Sequence, residues 1–136
     1  MTSSQSGASS VTTRVLQPAG VPTAPYAQGL EVRGAQRLVF VSGRIGTDDD
    51  GNWLVGVAAQ TRQVIARVTA VLAEAGLSLG DVVKLTIYLT DPADYGEFMA
   101  VAGETMPAPT STITGLVVPF LSSLEQKVEI EAIAAG

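Results

Sequence analysis

Neither histidine nor cysteine occurs among the 136 residues. Their absence removes Ser-His-Asp triads, Cys-His dyads, redox thiols, disulfides and every metal site built on imidazole or thiolate. Carboxylates are left as the groups to weigh. The run Thr47-Asp48-Asp49-Asp50-Gly51-Asn52 lacks the spaced ligands and terminal glutamate of a calcium loop, and reads as a solvated hairpin turn. Glu129 and Glu131 alternate with apolar residues in 127–134 (KVEIEAIA), which places both on one face of a strand. Taken alone, that face is a solvent-facing surface. Ser42 has no neighbour able to serve as its base, and Lys84 and Tyr88 fall on the polar face of another strand, where surface or subunit contacts are expected.

The elements that must position these groups follow from periodicity. Residues 38–41 (LVFV) form a short apolar run ending at Ser42-Gly43, as a buried strand does. Val57, Thr61, Val64, Val68, Val71 and Ala75 recur at helical steps, predicting a helix over 57–75 whose C-cap is Gly76 and whose polar remainder includes Gln60, Arg62 and Gln63. In 81–90, Val83, Leu85, Ile87 and Leu89 face one way and Lys84, Thr86 and Tyr88 the other. Asp91-Pro92 opens a second helix, about 92–102, as N-cap and first helical residue. Strands over 110–114 and 127–134 close the chain, with an apolar loop over 115–126 between them that should cover a site or a subunit contact.

The order β-β-α-β-α-β-β is an α+β layout with two helices on one face of a mixed sheet. The other face of that sheet then needs a cover, so an oligomer is expected. Residues 1–12, rich in Ser, Thr and Gly, read as a flexible tail, and 13–136 as one domain. A net charge of −5 disfavours a nucleic-acid partner, and 5% aromatic residues leave little surface for base stacking. No segment approaches the ~20 apolar residues of a membrane helix, and the first residues carry no secretory signature, so a cytoplasmic location without membrane contact is expected. No metal or cofactor is expected.

Residues 24–29 (APYAQG), 40–43 (FVSG), 59–63, 75–91 and 128–134, taken in register, resemble the Rid (YjgF) family of small proteins. Ala24-Pro25-Tyr26-Ala27-Gln28-Gly29 resembles the family's GPYSQ opening, and Phe40-Val41-Ser42-Gly43 its FVSGQIP segment. Residues 59–63, 75–91 and 128–134 complete the match. The resemblance implies a chorismate-mutase-like fold and a homotrimer with clefts between subunits. For the family's best-known branch it also implies hydrolysis of reactive imines and enamines to 2-oxo acids and ammonia. By the same resemblance Tyr26, Ser42, Gly43 and Thr112 line the cleft, and Glu129 positions the attacking water.

Two positions depart from the family. The arginine of its PARS motif, which holds a substrate carboxylate, falls at Thr110, or at Pro109 without a gap. Neither residue can make a bidentate ion pair. The family's asparagine on the second helix falls at Met99, and Arg44 stands where glutamine is usual, offering a displaced cation. The changes at Thr110 and Met99 make the expected cleft less cationic and more apolar, suited to a larger, less charged small molecule. Three functions compete: an enzyme acting on an imine, enamine or carbonyl intermediate by hydrolysis, tautomerisation or cyclisation, in a specialised biosynthetic pathway; a non-catalytic trimeric module that binds a metabolite or a protein; and a ribonuclease. The acidic charge, absent histidine and few aromatics count against the last.

Overall fold

A computed structural model of the chain describes residues 11–106 and 111–136. Its central strand is β6 (Val128–Ala135), whose alternation buries Val128, Ile130, Ala132 and Ala134 and turns Glu129, Glu131 and Ile133 the other way. β6 pairs antiparallel with β3 (Leu38–Arg44) on one side and β4 (Val82–Leu89) on the other. β4 pairs in parallel with β5 (Thr112–Val117), so the mixed sheet runs β3-β6-β4-β5. A parallel neighbour needs a crossover, and the second helix supplies it.

α1 (Val57–Glu74) lays Val64, Ile65, Val68 and Leu72 on the buried face of this sheet. It stops where Gly76 enters the left-handed region at φ +72 and donates its N–H to Ala73 O. Asp91 accepts from the Ala93 N–H at 2.9 Å and opens a 3₁₀ turn at Pro92–Asp94, which runs into α2 (Tyr95–Thr105). α2 sends Phe98 and Ala102 into the same core, so both helices lie on one face of the sheet.

The opposite face is exposed on the β3 side of the sheet. Phe40 is 69% exposed there and Leu38 57%, beside Tyr88, Glu129, Glu131 and Ile133. No helix of the described residues is long and apolar enough to cross a membrane.

Four sequence expectations need correction. β1 (Thr12–Leu16) pairs antiparallel with β2 (Gly29–Arg33), adding a strand and drawing Thr12 out of the expected tail; residues 1–10 lie outside the described residues. β1 is exposed throughout, so it has no alternation to read; it is held by its backbone ladder and by Glu31 pairing with Arg14 and Arg33. A register shift between Val82 and Lys84 buries Val82 in place of Val83. Ile133 turns to the open face, and Ala134 takes the core position. Gly115, Leu116 and Val117 belong to β5, because their ladder to β4 continues to the Leu89–Val117 pair.

Candidate active site

The register between β3 and β6 steps from Val41–Ala132 to Arg44–Ile130, so Ser42 and Gly43 form a bulge opposite Glu131. The bulge brings the β3 backbone against the Glu129 carboxyl group. A Cβ on Gly43 would stand 2.7 Å from Glu129 Cδ and closer still to Oε2. Only glycine admits the carboxylate in that position. Glu129 Oε1 accepts a hydrogen bond from Gln126 Nε2 at 3.0 Å. Oε2 accepts none from the described residues.

Gln126 is fully buried, and each end of its amide is occupied. Its Nε2 also donates to Val128 O at 3.3 Å, while its Oε1 accepts from Ser122 N at 2.9 Å and Ser122 Oγ at 2.6 Å. A second buried amide braces the same loop. Gln60 Nε2 donates to Leu54 O and Glu125 O at 2.9 and 2.8 Å, and its Oε1 accepts from Lys127 N at 2.8 Å. Gln60 therefore leaves the polar helix surface on which its spacing placed it.

Arg44 does not reach toward the carboxylates. Its Nε donates to Ser42 O at 3.1 Å and Gly43 O at 3.3 Å, so the side chain folds along its own strand. Beside Glu129 on the open face, Tyr88 donates its hydroxyl to Glu131 Oε1 at 2.5 Å. That bond, with partial burial and the negative charges of Glu131 and Glu129, holds the Tyr88 phenol above its ordinary pKa.

A second feature lies between α2 and the β4–β5 half of the sheet. Here an open cavity of about 550 Å³ is lined by Met99, Phe98 and Met106 of the helix side and Leu85, Ile87 and Ile113 of the sheet side. No charged residue among the described ones lines it. The Ala27 N–H donates to Ser111 O at 3.0 Å, which fastens the 24–29 segment to the start of β5 and sets Tyr26 at the cavity wall. Thr112 Oγ donates to Val83 O at 2.9 Å, tying β5 to β4, and does not line the cavity. Thr110 lies outside the described residues.

Within one chain the expected site residues thus separate into two groups. Ser42, Gly43, Arg44 and Glu129 meet at the bulge; Tyr26 and Met99 meet at the cavity. Glu129, Tyr88 and Leu116 occupy one rung across β6, β4 and β5, and Leu116 borders the cavity. The Glu129 side chain stands on the open face of the sheet, whereas the cavity lies on the helix-covered face, so within one chain the sheet separates the two groups. Sequence reasoning missed Gln126 and Ser122, whose only signal is their place among the polar residues Ser122, Ser123, Glu125 and Gln126 at the end of an otherwise largely apolar loop.

Residues 17–136 match the family described as Endoribonuclease L-PSP. The chain belongs to this family, the Rid (YjgF) proteins. Protein mmf2, mitochondrial, of Schizosaccharomyces pombe is 39% identical over 115 residues, which cover 82% of this chain and 87% of that protein. Reactive Intermediate Deaminase A, chloroplastic, of Arabidopsis thaliana is 35% identical over 131 residues, 93% of this chain and 68% of that one. Among solved structures, Escherichia coli TdcF with bound serine superposes with a TM-score of 0.68 at 31% identity, covering 90% of this chain and 98% of its own. The α+β architecture, with two helices and a mixed sheet, is that of the Rid structures.

Proposed function

We propose that this Rid protein is an enzyme acting on a reactive imine, enamine or carbonyl intermediate, at a cleft completed between the subunits of a homotrimer. The observation that carries the reading is the Glu129 carboxylate, held through Oε1 and lying over Gly43 with Oε2 unclaimed. The exposed sheet face around Phe40 is the surface a second copy would cover, and such a cleft would set the bulge of one copy against the cavity of another, since within one chain they lie on opposite faces of the sheet. Reactive Intermediate Deaminase A is named for chemistry of this kind, and TdcF holds a small polar molecule.

For an imine the step is a hydrolysis. Water attacks the C=N carbon and gives a proton to Glu129 Oε2, which passes it to the nitrogen to form the carbinolamine R₂C(OH)NH₂. Glu129 then takes the hydroxyl proton of the carbinolamine and delivers it to the nitrogen as the C=O forms, the C–N bond breaks and ammonia leaves. R₂C=NH and water become R₂C=O and ammonia, with Glu129 restored. The Ser42–Gly43 backbone lies beside the carboxylate, and the cavity next to Tyr26 and Met99 takes the substituents. Because that cavity is apolar and Thr110 replaces the family's arginine, we favour an uncharged, bulkier substrate over a 2-imino acid. A net charge of −5 and the lack of histidine weigh against RNA as the substrate.

The test is a trapping competition. An amino-acid oxidase generates 2-imino acids, an amine oxidase generates uncharged imines, and semicarbazide captures whatever the protein does not hydrolyse. We expect accelerated loss of the uncharged imine, falling about 10²-fold or more in Glu129→Gln. Faster loss of the 2-imino acid would instead place the chain with deaminases of carboxylate substrates. Binding of either imine without turnover, unaffected by Glu129→Gln, would favour a binding module.

A further inference from the structure

We propose that Gln126 is a positioning residue for Glu129: a buried amide, oriented by Ser122, that occupies Oε1 and reserves Oε2 for the proton. The inference rests on the reading of Glu129 as the acid–base group. Its physical core is that two backbone groups decide which way the amide points. The Ser122 N–H can only donate, and at 2.9 Å it requires the carbonyl end of Gln126. The Val128 carbonyl can only accept, and at 3.3 Å it requires the amino end. A flipped amide would set N–H against N–H and oxygen against oxygen. Nε2 is therefore aimed at Glu129 whether or not the carboxylate is there to receive it.

Burial makes the contact firm. Gln126 is 1% exposed, so water does not compete for its hydrogen bonds. Its backbone is fastened as well, since Gln126 O accepts from Thr90 Oγ at 3.3 Å and Thr90 N donates to Lys127 O at 3.3 Å. A glutamate side chain on an open sheet face would otherwise sample several rotamers. Here the amide holds one oxygen and the Gly43 backbone bounds the other, leaving Oε2 as the oxygen that can exchange a proton with water or substrate.

The experiment uses the full chain, with Glu129 identified by the carboxyl ¹³C signal that disappears in Glu129→Gln. Gln126→Leu keeps the buried volume and removes the amide. We expect the Glu129 signal to shift or broaden, turnover of the uncharged imine to fall on the order of tenfold, and KM to stay within about twofold. The same substitution added to Glu129→Gln should lower turnover no further. An unmoved carboxyl signal, or an equal loss of turnover with and without Glu129, would overturn the proposal and leave Gln126 a structural residue. Should Gln126→Leu fail to fold, Ser122→Ala removes one of the two donors that orient the amide, and the same signal must shift by a smaller amount. If Glu129→Gln leaves turnover intact, the enzymatic reading falls while the carboxyl signal still decides whether Gln126 positions Glu129.

Discussion

Around Glu129 the fold relies on buried polar groups, whereas around Met99 it relies on almost none. The bulge end is fixed by hydrogen bonds: two glutamine amides, 1% exposed each, bind seven backbone or side-chain partners within one loop and its neighbours. Such bonds are directional, and an unmade one in the interior is costly, so this geometry has little freedom. The cavity end is shaped by the sizes of Phe98, Met99, Met106 and Ile113. Apolar contacts are not directional, and methionine adapts its shape readily. The contrast implies a carboxylate fixed in place and, on the other face of the sheet, a recess whose shape can drift.

Substitutions in each half should behave accordingly. The largest effect on stability is expected at the cavity floor. Phe98 is 2% exposed, and Phe98→Ala should cost about 3–5 kcal/mol in urea unfolding while leaving the Glu129 carboxyl signal in place. A movement of that signal as large as in Gln126→Leu would erase the distinction between the halves. Gly43→Ala probes the other side. Its Cβ cannot coexist with the carboxylate, so turnover should fall about 10²-fold with only a modest change in unfolding midpoint. Retained turnover would mean that the placement of Glu129 over the bulge does not matter.

Smaller effects sharpen the comparison. Met99 is 37% exposed at the cavity, so an arginine there can keep its charge hydrated. Met99→Arg should raise the ratio of kcat/KM for a 2-imino acid over an uncharged imine by about tenfold, measured by the same trapping competition. An unchanged ratio would place the specificity outside this recess. The smallest effect concerns Tyr88. Because the Glu131 bond raises its pKa in the folded state, the phenol favours folding below its unfolded pKa, and this contribution fades as pH rises through the folded value. The alkaline limb of a Tm–pH curve should therefore be flatter in Tyr88→Phe than in the parent. A steeper limb would reverse the sign assigned to the Tyr88–Glu131 pair.

Much of the fold was legible because its periodicities are clean. Val64, Val68 and Leu72 repeat as a helix face must, Asp91-Pro92 marks a turn start, and Leu85, Ile87 and Leu89 alternate as a half-covered strand does. The register shifts at Val82–Lys84 and at Ser42–Gly43 were not legible, since a bulge leaves each strand locally regular and shows only in what it pairs with. β1 escaped for a different reason: TTRVL has no buried side, and its partner β2 lies 12 residues beyond its end. Gln126 and Gln60 escaped because glutamine is mostly exposed, and composition cannot tell a buried amide from a solvated one.

The sequence by itself determined which chemistry was open to this protein. Without histidine or cysteine, acid–base chemistry is left to groups such as carboxylates, and the family motifs singled out Glu129 and Gly43, which the fold brings together at the bulge, and Tyr26, which it sets at the cavity. Residue types limit what can react, and they can be read one at a time. Only the tertiary structure decided how Glu129 is held, through the bulge at Gly43 and the amide of Gln126, and that Tyr26 and Met99 belong to a separate apolar recess. Those are relations between strands and loops distant in sequence, set by strand register and by the hydrogen-bonding needs of buried polar groups, and neither is a property of any local stretch of chain.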